Sequence, residues 1–225
     1  MGRLPALQGG GHRAFYRWLT RDYRTLFPRV PERTRLLRLC TTHHDWTRAC
    51  LAAPTVRGVL DASGIERIHP RRAGRSSQQI GRQDLSNQRW MVGGPRCLLW
   101  HQEGLVVGWD GATAHGAATP FPWLMRHVDG RLSVWSDTAC QAAAGDPAAR
   151  TRWPRGAWED RRLVATVRSM LIVVCHCKKV MHRGWAYCQA RLAFTMAAFH
   201  GLGQWQGFQP SASGFVPLSI AALSL

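Results

Sequence analysis

The sequence predicts an α/β fold, in which a mixed β-sheet is flanked by helices and preceded by a small helical region. The chain has 225 residues, of which 45% are hydrophobic, and this suffices for one domain with a sizeable core. Apolar residues recur at helical spacing near both ends of the chain, whereas short apolar runs typical of strands lie between them. The predicted order is strand, hairpin, helix, strand, helix, helix, which fits a mixed layer better than an all-α or all-β fold.

The first segment, residues 1–54, is predicted to be helical and is rich in arginine. Aromatic and aliphatic residues recur at helical spacing over residues 12–26, which predicts a first helix. A similar pattern predicts a second helix over residues 32–52, and Pro54 ends it.

The predicted core occupies residues 55–205 and is followed by a C-terminal tail, residues 206–225. Its first strand is predicted over residues 56–60, a polar and basic loop over residues 70–89, and a hairpin over residues 97–109. The remaining predicted elements are a short helix over residues 122–128, a strand around Val134, a loop over residues 142–156, and helices over residues 158–175 and 184–205.

The net charge favours polyanionic partners, because 30 Lys and Arg residues face 13 Asp and Glu residues. Nearly all of the cations are arginine, which either serves phosphate binding or reflects a GC-rich gene. The longest clean apolar run, residues 170–175, is too short for a membrane span, so we expect no membrane partner. Seven cysteines without a CxxC motif indicate free thiols and a cytoplasmic protein. If the polyanionic partner is DNA, we expect the protein to be associated with the nucleoid.

Two predicted strands end in carboxylates of similar context, GVLDASG with Asp61 and VWSDTAC with Asp137. If the two strands are parallel neighbours, both carboxylates lie at one edge of the sheet, where ligands bind in α/β proteins. Adjacent carboxylates repel each other unless a divalent cation lies between them, and oxygen ligands suit Mg²⁺ or Mn²⁺. The alternative is that each Asp caps the turn after its strand.

Three long stretches give the chain a family resemblance: VLDASGIERIHPRRAGRSSQQIGRQDLSNQRW, SDTACQAAAGDP and SMLIVVCHCKKVMHRGWAYCQARLAFTMAAF. With them, the sequence resembles the DDE transposases of bacterial insertion sequences. The resemblance implies a ribonuclease-H-like mixed sheet flanked by helices, with Asp61 on the first core strand and Asp137 on the fourth. It also implies Mg²⁺ or Mn²⁺ as cofactor, DNA as partner, a homo-oligomeric assembly, and cleavage and strand transfer of DNA at the element's ends.

The third carboxylate of this family is missing here. Related transposases carry Arg-x-x-x-Glu on a late helix, and the corresponding stretch begins at Arg161 and places Ala165 where the Glu would be. Glu159 is the one candidate substitute for a third ligand, but a separation of six residues turns it about 120° around the helix from Ala165. We therefore expect low or absent activity.

The chain also opens inside the region of resemblance, which suggests a truncated copy of a mobile-element gene. The alternatives are a catalytically dead remnant that still binds DNA and a non-functional product with little folded population.

Two basic groups are candidate DNA contacts, one on the loop after the first strand and one between the last two helices. The first comprises Arg71, Arg72, Arg75 and Arg82, and the second comprises Lys178, Lys179 and Arg183. Two further motifs favour structural roles: Asp110 is predicted to cap a turn, and Cys175-His176-Cys177 to belong to a helix rather than to a metal site.

Overall fold

The computed structural model describes residues 2–54, 57–69, 82–86, 89–101, 104–111, 124, 133–136, 150–152, 158–180, 182 and 184–207. The helices are α1 Leu4–Gln8, α2 His12–Asp22, α3 Arg33–Thr42, a 3₁₀ helix His44–Cys50, α4 Trp158–Val173 and α5 Trp185–Trp205. The strands are β1 Arg57–Ile68, β2 Arg82–Ser86, β3 Arg89–His101, β4 Val106–Gly111, β5 Ser133–Ser136 and β6 Arg150–Arg152. The predicted α/β class is confirmed.

The strands form one mixed sheet in the order β2-β3-β1-β5-β6, with β4 pairing β3 as well. The long central strands β1 and β3 are antiparallel, and β2 and β4 each pair antiparallel with β3. On the other side of β1, β5 and then β6 run parallel to it. Antiparallel neighbours close in sequence and parallel neighbours distant in sequence are what a mixed sheet requires.

The main core lies between one face of the sheet and the two C-terminal helices. Val59 and Ile65 lie on the same face of β1, because side chains an even number of residues apart share a face. Trp100 of β3 belongs to the same core cluster. Val167 and Met170 contribute from α4, three residues apart on one helical face. Trp100 is among the largest side chains that are fully buried, so the sheet is anchored where β1 and β3 pair.

Helix α5 is apolar around most of its circumference because it is covered on more than one side. Residues of α5 such as Leu192 and Met196 belong to the main core. The N-terminal helices pack on α5 as well: a Cβ at Gly2 would overlap the ring of Phe194, and Arg3 lies against Gly201. The described helices include none that is long and apolar enough to cross a membrane.

The predicted second helix is wrong in its extent, because α3 ends at Thr42 and a 3₁₀ helix follows. Side-chain groups donate to backbone carbonyls at this break: the His44 Nδ1 atom lies 2.8 Å from the Thr41 carbonyl oxygen, and the Thr47 hydroxyl donates to the His44 carbonyl. These bonds compete with the regular helical pattern and tighten the chain.

Several strands are longer or more numerous than predicted. β1 continues past the predicted end at Leu60 to Ile68, and β2 and β6 form within stretches predicted to be loops. Polar sequences such as RQDLS carry no strand periodicity, so their pairing with neighbours decides their conformation. The predicted hairpin turn is confirmed, with Gly104 at a φ of 80° and its amide donating to the His101 carbonyl.

Candidate catalytic site

The parallel pairing of β1 with β5 is the feature that bears most directly on the predicted site. Val59 lies opposite Trp135 and Leu60 lies opposite Ser136 in this register. The predicted site requires the strands that lead to Asp61 and Asp137 to be parallel neighbours, and β1 and β5 are parallel neighbours. The residues that follow Leu60 and Ser136 are Asp61 and Asp137, of which Asp137 lies outside the described residues.

Asp61 lies on the face of the sheet that packs against the helices. Val59, Asp61 and Ser63 are two residues apart along β1, so they share one face of the strand. Val59 belongs to the main core. Its cross-strand neighbour is Leu98 of β3, which in turn pairs with Trp109 of β4. Asp61 is half-buried and its Oδ2 atom is screened from solvent.

Helix α4 approaches the same face without a carboxylate at the expected position. Val167 and Met170 form its buried side, whereas Ala165 is exposed and Arg168 is partly exposed. Because Ala165 is exposed, a longer side chain at this position would not have to displace packed core residues.

Glu159 occupies the second position of α4, because the helix begins at Trp158, and Asp160 occupies the third. Acidic residues in the first turn interact favourably with the positive end of the helix dipole. Glu159 also precedes Ala165 by more than one turn, so it would reach the position of the missing carboxylate only if the start of the helix unwound.

A buried arginine that sequence reasoning missed lies beside Asp61. Arg96 of β3 pairs with Ser63 and is only 2% exposed, so it is a diagonal neighbour of Asp61 on the same face. Its Nη1 atom donates to the Cys177 Sγ at 2.8 Å, and its Nη2 atom donates to the Ser63 hydroxyl at 3.1 Å. Arg96 thus ties the sheet to the segment after α4.

The predicted basic groups differ in how much of them the structure describes. Lys178 and Lys179 are exposed, in a segment that pairs with the edge of β1: the amide of Glu66 donates to the carbonyl of Lys178. The Lys179 ammonium lies 3.8 Å from a carboxylate oxygen of Glu66, so its charge is partly compensated. Arg82 begins β2. The other predicted contacts, Arg71, Arg72, Arg75 and Arg183, lie outside the described residues.

Asp110 lies on the opposite face of the sheet from Asp61. It pairs with Cys97, which pairs with Ala62, one position out of phase with Asp61. The Oδ1 atom of Asp110 accepts a hydrogen bond from the Gly111 amide at 2.7 Å within β4, and the predicted turn role stays a prediction. Burial raises the pKa of this carboxyl group.

The Cys175-His176-Cys177 motif does not lie on a helix, contrary to the prediction, because α4 ends at Val173. Cys175 and Cys177 are buried, whereas His176 is exposed and adopts a φ of 51°. Across the described ranges, no group of three or more His, Cys, Asp or Glu side chains could hold a metal ion. The six cysteines that the structure describes are all free thiols, as predicted.

Comparisons with protein-family models, with curated proteins and with solved structures found no match to this chain.

Proposed function

We propose that this chain is a transposase-like protein with a ribonuclease-H-like core, in which Asp61 and Asp137 bind Mg²⁺ or Mn²⁺ and the substrate is DNA. The observation that supports it best is the register that pairs Leu60 with Ser136 in parallel strands. If that register continues by one residue, the two carboxylates are neighbours on adjacent strands, about 5 Å apart at the backbone.

The chemistry of the two side chains fits a divalent cation. Two adjacent carboxylates repel each other, and burial increases that repulsion because water screens it less. Asp61 is half-buried, so a cation between the two groups would relieve this cost. When bound, such a cation polarises a phosphodiester and lowers the pKa of an attacking water or hydroxyl.

The role of the protein in this proposal is to hold the cation and to orient the DNA strand against it. Two carboxylates form an incomplete ligand set, and the exposed Ala165 of α4 supplies no third one. The cation is then held weakly and positioned poorly, and misplacement of about 1 Å can lower a catalysed rate on the order of a hundredfold. We therefore propose that strand transfer by this chain is low or absent.

The test restores the missing ligand. Ala165→Glu is expected to bind Mn²⁺ more tightly and to generate strand-transfer products from labelled DNA that carries the ends of the encoding element. Ala165→Gln is the matched control, since it has nearly the same size but no charge. Adding Asp61→Asn or Asp137→Asn to Ala165→Glu is expected to abolish both the products and the tighter binding.

The enzymatic part of the proposal fails if Ala165→Glu folds, as shown by its thermal unfolding, yet yields no joined DNA in either metal ion. It also fails if Asp61→Asn and Asp137→Asn leave Mn²⁺ binding by calorimetry unchanged.

A second candidate function is a DNA-binding remnant of a mobile element without catalysis. The exposed, carboxylate-free face of α4 at Ala165 favours it. It predicts DNA retention that falls steeply with salt and does not change when EDTA replaces Mg²⁺. Retention that persists in high salt would exclude it.

A further inference from the structure

A cleft opens between α2 and the start of α3, on a part of the chain that the predicted DNA contacts do not include. Its volume is about 500 Å³. Five residues line this α2–α3 cleft: Arg13, Tyr16, Arg17, Glu32 and Arg33. Three of the five are arginines, so the cleft concentrates positive charge.

The helical spacing of α2 brings two of these arginines to one side. Arg13 and Arg17 are four residues apart, so they lie on the same face, and both are exposed. The opposite face of α2 carries Phe15 and Leu19, which are buried in the N-terminal core. Arg33 enters the cleft from the first turn of α3 and is partly exposed.

The lone carboxylate of the cleft is already engaged. Glu32 caps α3, and its Oε2 atom accepts hydrogen bonds from the amides of Thr34 at 2.8 Å and Arg35 at 3.2 Å. These bonds lower the pKa of Glu32 and hold its charge at the end of the helix. In the part of the chain that the structure describes, no ion pair involves Arg13, Arg17 or Arg33.

Tyr16 fixes the shape of the cleft. Its hydroxyl donates to the Pro31 carbonyl at 3.2 Å, which ties α2 to the segment before α3. The guanidinium groups are thereby carried on elements with a fixed separation. Such preorganisation reduces the entropy that binding would otherwise cost.

We propose that the α2–α3 cleft binds the phosphate backbone of DNA through Arg13, Arg17 and Arg33. The choice of DNA as the polyanion rests on the proposed function, but the site is separate from Asp61 and Asp137 and needs no metal. Arg13 and Arg17 are about 6 Å apart along the helix axis, so their side chains can extend to different phosphates of one DNA strand. Guanidinium groups can bind phosphate oxygens with two hydrogen bonds each.

The same helix offers a matched control in Arg21. Its Nε and Nη2 atoms donate to both carboxylate oxygens of Asp22, at 2.6 and 2.9 Å, so its guanidinium is already occupied. Arg21→Gln removes one unit of charge, as Arg13→Gln and Arg17→Gln do. A diffuse electrostatic attraction would respond equally to all three changes, whereas a site in the cleft would not.

The experiment measures fluorescence anisotropy of a labelled random-sequence duplex with the full-length chain in EDTA, between about 50 and 200 mM salt. Each of Arg13→Gln, Arg17→Gln and Arg33→Gln is expected to weaken binding about three- to tenfold and to lower the slope of log affinity against log salt by about 0.9. Arg21→Gln is expected to leave the slope unchanged, and Arg13→Lys to weaken binding less than Arg13→Gln.

Three results would overturn the proposal: equal effects of all four Gln substitutions, no binding by the unsubstituted chain, or displacement of DNA by poly-glutamate at matched charge. The last result would assign the cleft to acidic proteins. Asp61→Asn distinguishes this proposal from the proposed function, because it is expected to remove metal binding while leaving DNA affinity in EDTA intact. Thermal unfolding of each variant confirms its fold.

Discussion

At the scale of single residues, Arg96 is a buried cation that is held by hydrogen bonds to two different parts of the chain. Its side chain is buried on the helix-packed face of the sheet and donates to Ser63 and Cys177. A buried guanidinium that loses one acceptor keeps the full cost of desolvation, about 1–3 kcal/mol or more. Ser63 and Cys177 therefore stabilise the fold in part by accepting hydrogen bonds from Arg96.

We predict that Ser63→Ala lowers the free energy of unfolding by about 1–3 kcal/mol. The same change in an Arg96→Met background is expected to cost much less, because no guanidinium remains unsatisfied, so the double-mutant cycle gives a coupling energy of about 1 kcal/mol or more. Urea unfolding measures all four proteins.

Ser133→Ala serves as the control for this cycle, since Ser133 is exposed on β5 and its loss should change stability by less than about 0.5 kcal/mol. A coupling energy near zero would show that Ser63 does not stabilise Arg96.

No pattern in the sequence distinguishes Arg96 from the other arginines of the chain. The charge of an arginine side chain alone predicts a position on the surface, because buried arginines are rare. Only the strand register, with Ser63 opposite Arg96, reveals the buried position. Asp61, in contrast, could be singled out from the sequence, because a carboxylate directly after an apolar run is costly without a partner.

At the scale of elements, the contact between α2 and the α4–α5 connection contains a pair of histidines. The rings of His12 and His182 are 4.7 Å apart and tilted by 31°. The pKa of His182 is lowered to about 3, mainly by burial and in smaller part by the proximity of His12 and Arg191. Burial, Arg191 and Arg33 also lower the pKa of His12.

The two lowered pKa values predict that the protein loses stability as the pH falls below about 6.5. The unfolded chain binds these protons near the ordinary histidine pKa, whereas the folded protein resists them, so protonation favours unfolding. For His182 the loss approaches about 1.4 kcal/mol per pH unit until the pH nears its folded pKa. Urea unfolding between pH 7.5 and 5 measures it, above the range where most carboxylates titrate.

The variant His12→Gln/His182→Gln should show a flatter dependence of unfolding free energy on pH. His200, whose pKa burial also lowers, remains in both proteins, so the difference between them isolates the pair. His176→Gln, at an exposed position, is the control. Equal pH dependence in the wild type and the double variant would contradict the assignment.

Long elements with their own periodicity could be predicted, and short polar ones could not. The predicted helices over residues 158–175 and 184–205 agree with α4 and α5, because apolar spacing persists over many turns. The sequence predicts loops where β2 and β6 form, because short polar stretches carry no apolar alternation and become strands only through pairing, β2 with the adjacent β3 and β6 with β5. The parallel pairing of β1 with β5 was expected only as a condition of the site, since sequence contains no direct signal for register.

At the scale of the whole molecule, the N-terminal region and the sheet share one helix. α5 contributes to the main core through residues such as Met196, and its Phe194 ring covers Gly2 at the other end of the chain. The segment after the 3₁₀ helix is bonded to the sheet too, because the amide of Ala52 donates to the carbonyl of Val106. The N-terminal helices, which have a small core of their own, therefore pack on the same helix that completes the main core.

This shared helix predicts that the chain unfolds in one cooperative transition, not in two. Calorimetry should give a calorimetric enthalpy equal to the van't Hoff enthalpy, and far-UV dichroism should report the same midpoint as tryptophan fluorescence.

Leu36→Ala in α3 removes a buried side chain of the N-terminal core and is expected to lower the free energy of unfolding by about 2–4 kcal/mol. In a single cooperative unit, that loss lowers the midpoint for the sheet as well. Leu39→Ala, at an exposed position of the same helix, should leave the midpoint nearly unchanged. If Leu36→Ala melts the N-terminal helices alone, α5 does not couple the two regions, and if no cooperative transition occurs at all, the chain is the poorly folded product that the sequence left open.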